Sequence, residues 1–151
     1  MGKDFHDLSV TYGLDLSHNH IHTIESGAFK NIKLTFLGAS LLLNNNRLRK
    51  VESYAFVDIA SGSGNIGLGS NPLHELEEYS FVNVRCNTMN LRGMFLSNLQ
   101  SHTFHNVRVA TTLDLSMNKI AYIEEFAFSP VTAMNLDLSN NGLLGIRGQM
   151  F

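Results

Sequence analysis

Apolar residues in this chain recur in a block rather than at one short period. From Leu14 to Ile32 the sequence reads LDLSHNHIHTIESGAFKNI: alternating leucines, an asparagine, two spaced isoleucines, an Ala-Phe pair and a final isoleucine. Written by position, the block is L-x-L-x-x-N-x-I-x-x-I-x-x-x-A-F-x-x-I. It starts at Leu14 and returns at Leu41, Ile66, Met89, Leu113 and Leu136, in steps of 27, 25, 23, 24 and 23 residues. The L-x-L segment has the period of two that marks a short strand. It turns Leu14/Leu16, Leu41/Leu43, Ile66/Leu68, Met89/Leu91, Leu113/Leu115 and Leu136/Leu138 inward. Stacked copies of such a strand make one parallel sheet.

The remaining block positions have roles of their own. Asn19, Asn46, Asn71, Asn118 and Asn141 share one slot, where the chain turns while still buried. An amide can satisfy backbone groups there that would each cost about 1 to 3 kcal/mol if left unpaired. Met94 fills this slot in the fourth copy, which predicts distorted geometry at residues 92 to 96. Phe29, Phe56, Phe81, Phe104, Phe128 and Phe151 form a second inward column, each ring contributing on the order of 1.5 to 3 kcal/mol. Glu25, Glu52, Glu77 and Glu124, with Gln100 in the fourth copy, form a third. Carboxylates roughly 5 Å apart along a stack repel one another. The expected compensation is a short helical turn beginning at each Glu, whose N-terminal dipole favours negative charge.

A self-similarity of about 20 to 29 residues containing L-x-L-x-x-N-x-L resembles the leucine-rich repeat, and the "AF" in the back half is similar to the repeats of about 24 residues in animal extracellular receptors and adhesion proteins. The resemblance implies an α/β-type, mainly β solenoid. Its expected shape is a horseshoe segment, with a short-stranded parallel sheet on the concave face and short helical turns or loops on the convex face. One domain, 1–151, is expected: a partial repeat over 1–10, then repeats starting near 11, 38, 63, 86, 110 and 133, the last truncated. The chain opens and closes in mid-repeat. Solenoids normally carry polar caps, so the expectation is either a fragment or trimmed piece of a longer ectodomain, or a chain that hides its uncapped ends by self-association. Surplus length at Lys33 to Ser40 and Ala60 to Asn65 predicts bulges before the second and third strands.

Composition narrows the class. With 11 basic and 13 acidic residues and a net charge of −2, the chain has no basic stripe to attract nucleic acid. The apolar run Leu34 to Leu43 is half the length of a membrane-spanning helix, so no membrane insertion is expected. Residues 1 to 8, MGKDFHDL, lack the apolar centre of a secretory signal. Cys86 is the only cysteine. It cannot form an internal disulfide and reads as a small core residue.

Chemical motifs are sparse. Gly62 to Gly67 matches G-x-G-x-x-G, but a dinucleotide site needs a strand before it and a helix after it. Here a repeat strand follows, so the segment reads as an inter-repeat loop. His18, His20 and His22 alternate and make the one candidate metal site, which would need three converging ligands. No nucleophile–base or paired-carboxylate set can be assembled. An enzyme is not expected, nor is a cofactor.

The resemblance places function on the concave sheet face, as protein or peptide recognition by an extracellular or cell-surface parent. A cytoplasmic scaffold is the alternative, because the signal is missing, the cysteine is unpaired and no N-glycosylation sequon is present. The concave positions are mostly small and polar. The exceptions, Leu42, Arg92 and Phe95, together with Asn44, Asn90, Asp114 and Asp137, are the candidate ligand contacts. Asn65, Gly67 and Gly69 leave a bare strip where partner backbone could approach. The competing surface is the column Tyr54, Tyr79, His102 and Phe126, because exposed aromatics make interface anchors.

Overall fold

The computed structural model describes residues 5–146, 148 and 149. Among them the chain winds as a parallel β-solenoid in which each turn is one repeat. The front strands are the L-x-L segments: Gly13–Asp15, Ser40–Leu42, Asn65–Gly67 and Thr88–Asn90, then the ends of Val107–Asp114 and Val131–Asp137. They stack parallel and in register, with Leu41 facing Ile66 and Met89 facing Leu113. Leu41, Ile66, Met89 and Leu113 are fully buried, as the period of two requires.

The fold is the mainly β repeat solenoid expected, and its opposite side carries strands where helical turns or loops were expected. No helix is present among the described residues. The "AF" pair instead opens a second parallel column of strands, Phe29–Leu34, Phe56–Ser61 and Phe81–Cys86, continued by the beginnings of Val107–Asp114 and Val131–Asp137. Each begins with Phe, has Ile or Val fourth, and buries its first, fourth and sixth residues, because the third takes a left-handed conformation: Asn31, Asp58 and Asn83 have φ of 54°, 56° and 54°. That kink hides the period of two. Asn and Asp tolerate it well, and the β-branched Ile32, Val57, Ile59, Val82 and Val84 suit a pleated surface.

A third, narrower face carries two-residue strands. Thr23–Ile24, Lys50–Val51 and Glu75–Leu76 pair in one sheet, and Asn98–Leu99 pairs with Tyr122–Ile123 in another. The split falls between the third and fourth repeats. On either side of it, backbone bonds run from His74 to Arg49 and from Ala121 to Ser97, but no counterpart runs from Ser97 to His74.

The core is a set of columns. Phe5, Phe29, Phe56, Phe81, Phe104 and Phe128 stack nearly parallel at 5.3, 5.0, 4.8, 5.4 and 5.6 Å; Phe151 lies outside the described residues. Each buried asparagine ties the turns of two adjacent repeats. Asn71 Nδ2 donates to the Leu43 and Leu68 carbonyls at 3.0 and 2.6 Å, and its Oδ1 accepts the Leu48 N–H at 3.1 Å. At Met94 the turn keeps its left-handed residue, Gly93 with φ 67° in place of Asn45 or Ser70, so the local fold survives. The thioether offers the Leu73 N–H no amide oxygen, however, and this is the interface where the narrow face splits. Cys86 is buried, and burial pushes its thiol up to about 12.

Candidate interaction surface

The front strands end in a repeated turn. Asp15 Oδ1 accepts the Ser17 N–H at 2.9 Å and the hydroxyl at 2.5 Å; Asp114 does the same for Ser116 at 2.9 and 2.6 Å. Asp137 accepts the Ser139 N–H, and Asn90 accepts the Arg92 N–H. The serine hydroxyls, then the backbone amides, hold the Asp15 and Asp137 carboxyls below the usual range. One oxygen of each aspartate therefore closes the strand end, a local role that Asp and Ser fill well.

The bare strip expected at the third repeat is covered. A Cβ on Gly67 would meet Asn44 Oδ1 at 2.8 Å, and one on Gly69 would meet Asn90 Oδ1 at 3.2 Å. The neighbouring asparagines thus lie over the glycines and take the space a partner's backbone would need. Gly64, two strands' corner away, is required by packing: its Cβ would fall 1.8 Å from the Ala39 carbonyl oxygen. These close approaches account for two of the three glycines of G-x-G-x-x-G, and the segment leads into a strand with no helix after it.

Around Arg92 the face changes character. Its guanidinium donates from Nη1 to Ser116 Oγ at 2.8 Å, lies 4.0 Å from Asp114 Oδ2 and contacts the half-exposed Met117. Just past the strand, the Phe95 ring is 42% exposed and stacks on His74 at 5.4 Å, with Lys119 Nζ 4.6 Å from its centroid. The structure thus brings Arg92, Phe95 and Asp114 together and adds His74, Met117 and Lys119. Leu42 and Asn44 lie two repeats away. The three added residues occupy turn positions just after their own strands, 21 to 24 residues from Phe95, so only the stacking register makes them neighbours.

The aromatic column is a real ladder. Tyr54 stacks on Tyr79 at 5.4 Å, Tyr79 on His102 at 5.0 Å and His102 on Phe126 at 5.9 Å. All four residues have φ between 54° and 59°, in the position Gly27 holds in the first full repeat. Each sits in a four-residue turn closed by a bond such as Ala55 N–H to the Glu52 carbonyl, whose third residue favours glycine. A bulky residue there costs on the order of 1 kcal/mol or more, offset here by ring stacking. The same turns correct the reading of the glutamates. No helix follows them; each side chain accepts a backbone N–H from the preceding repeat, Ser26 to Glu52, Ser53 to Glu77, Glu78 to Gln100 and Ser101 to Glu124, at 3.1, 2.8, 3.2 and 3.0 Å.

A family model for the BspA type Leucine rich repeat region matches residues 5–81 and 22–151, in six copies. The chain belongs to the BspA-type leucine-rich repeat family. This places it in the repeat class read from the sequence, through a type other than the animal-receptor repeats it was likened to. No curated protein and no solved structure matches the chain.

A BspA-type leucine-rich repeat stack is in general a binding module. Its other sequence motifs resolve as follows. Among the described residues no three His, Cys, Asp or Glu side chains converge as metal ligands; the alternating histidines stay apart, with His18 Nε2 3.4 Å from Asn45 Nδ2. Lys50 is paired with Glu77. The surplus segment at 33–40 holds a cluster the sequence reading did not single out: Phe36 packs against Tyr12 at 5.2 Å, and Tyr12 and Leu37 are 80% and 82% exposed. No helix is long and apolar enough to cross a membrane among the described residues.

Proposed function

We propose that this BspA-type stack recognises a protein or peptide through the front-face cluster centred on Arg92 and Phe95, as part of a cell-surface parent. One observation carries the reading: an arginine, a half-exposed phenylalanine, a lysine and a methionine stand together on a face that is otherwise small and polar. Arginine and aromatic residues dominate binding energy at protein interfaces. Arg92 is held by Ser116 and Asp114 of the next repeat and Phe95 lies between His74 and Lys119, so little side-chain freedom is lost on contact. The surface location is supported by the surface-associated character of the family.

A photo-crosslinker at Ser97, beside the cluster, would capture the ligand from extracellular or membrane-protein fractions. Binding of the captured ligand should fall at least tenfold in Arg92→Ala and in Phe95→Ala, and stay unchanged in Tyr54→Ala. The opposite pattern would move the site to the aromatic ladder, the second reading, which the four rings on left-handed backbone favour.

A further inference from the structure

The back sheet carries one row of residues that the front-face reading does not use. Lys33 pairs with Ala60, Ala60 with Arg85, Arg85 with Arg108, and Arg108 with Thr132. Arg85 and Arg108 are thus direct cross-strand neighbours, both exposed. Like charges in that relation destabilise a sheet. Neither guanidinium has an ion-pair partner among the described residues; Asp58, on the same face, accepts Asn83 Nδ2 at 2.8 Å instead.

The two arginines border a groove of about 690 Å³. Its origin is the shrinking repeat length. At the third repeat the chain leaves the back sheet at Ser61 and loops through Gly62, whereas Val107–Asp114 and Val131–Asp137 turn the corner without a break. The step between them is walled by Gly62 on one side and by Met134, 83% exposed, on the other, and floored by Ala60, Ala110 and Ala133, with Cys86 and Val109 buried beneath them. Crossing four strands, three spacings of about 4.8 Å, it spans the length of roughly four extended residues.

We infer that this groove binds an acidic, aliphatic peptide segment of a partner protein, with a carboxylate bracketed by Arg85 and Arg108 and apolar side chains on the Ala110, Ala133 and Met134 surface. Two unpaired guanidinium groups about one strand spacing apart match a carboxylate in charge and geometry. The apolar floor and walls favour an aliphatic peptide over a free inorganic anion. The site is on the sheet opposite the front-face cluster and stands independently of it.

The test is fluorescence polarisation with labelled Glu-Leu-Glu-Leu, its Gln-Leu-Gln-Leu counterpart, and inorganic phosphate as competitor. The Glu peptide should bind at low salt, weaken about tenfold or more in Arg85→Gln and Arg108→Gln, and weaken as salt screens the pair. Phosphate at the same concentration should not displace it. Melting temperature should hold or rise in both variants, since a repulsive pair is removed. Equal binding of the Gln peptide, or undiminished binding by the Arg85→Gln/Arg108→Gln double variant, would overturn the proposal. So would phosphate binding that needs both arginines while the Glu peptide fails to bind.

Discussion

Lys50 Nζ lies 2.5 Å from Glu77 Oε1, one repeat further along the stack, while Glu77 Oε2 accepts both the N–H and the hydroxyl of Ser53, at 2.8 and 3.1 Å. One carboxylate thereby ties the turn of the second repeat to that of the third. The lysine contact, then the Ser53 amide, hold the Glu77 carboxyl below its ordinary 4.5, and the contact with Glu77 raises the Lys50 ammonium above 10.5.

Because the folded Glu77 value is the lower one, its stabilisation is complete above pH 4.5 and is lost as pH falls through the folded value. The Lys50 contribution is present below 10.5 and is lost as pH rises through its raised value. Thermal melts from pH 7 to pH 3 should show the wild type losing more stability than Glu77→Gln. At pH 7 the variant should be the less stable by roughly 1 kcal/mol, the side chains being partly exposed. Parallel curves would refute the assignment.

Asn71→Ala removes a side chain that serves two carbonyls and one amide in the buried turn. Each unsatisfied buried group costs about 1 to 3 kcal/mol, so chemical denaturation should report a loss of 2 to 4 kcal/mol, on the order expected from those terms. Asn19→Ala, at an exposed position of the same column, should cost under about 1 kcal/mol. Equal losses at the two positions would mean that the column acts through something other than burial.

Met94→Asn supplies the amide that the fourth repeat lacks, aimed at the Leu73 N–H as Asn71 is aimed at that of Leu48. A gain of about 1 kcal/mol is expected, net of the lost thioether burial. Hydrogen exchange gives the sharper reading. In the wild type the Leu73 and Ser97 amides should exchange faster than those of Leu48 and Ala121, and in Met94→Asn the Leu73 amide should slow. Unchanged exchange at Leu73 would show that the side chain does not reach it.

How much was legible in the sequence depended on how far apart the interacting residues are. The inward leucines, asparagines and phenylalanines announce themselves within one block, and the structure stacks them in register, buried in the middle repeats and partly exposed at the ends. The back strands were missed because the left-handed Asn31, Asp58 and Asn83 break their alternation, although Val57, Ile59, Val82 and Val84 carried a β signal. Glu77 was misread because its partners, Lys50 and Ser53, lie a full repeat away. The same holds for Phe95: the residue itself stood out, but His74 and Lys119 became its neighbours only once the strands were stacked.

The in-register phenylalanine stack has a consequence for size. Phe56 meets Phe29 on one side and Phe81 on the other through nearly identical geometry, and among the described residues none of one end packs against the other. Stability in such an array is a sum over nearest-neighbour interfaces. Excising or duplicating one whole turn would rejoin like surfaces, so the number of turns is a free variable of the architecture. Reach can be lengthened or shortened without redesigning the interior, while the surface residues of each turn diverge on their own.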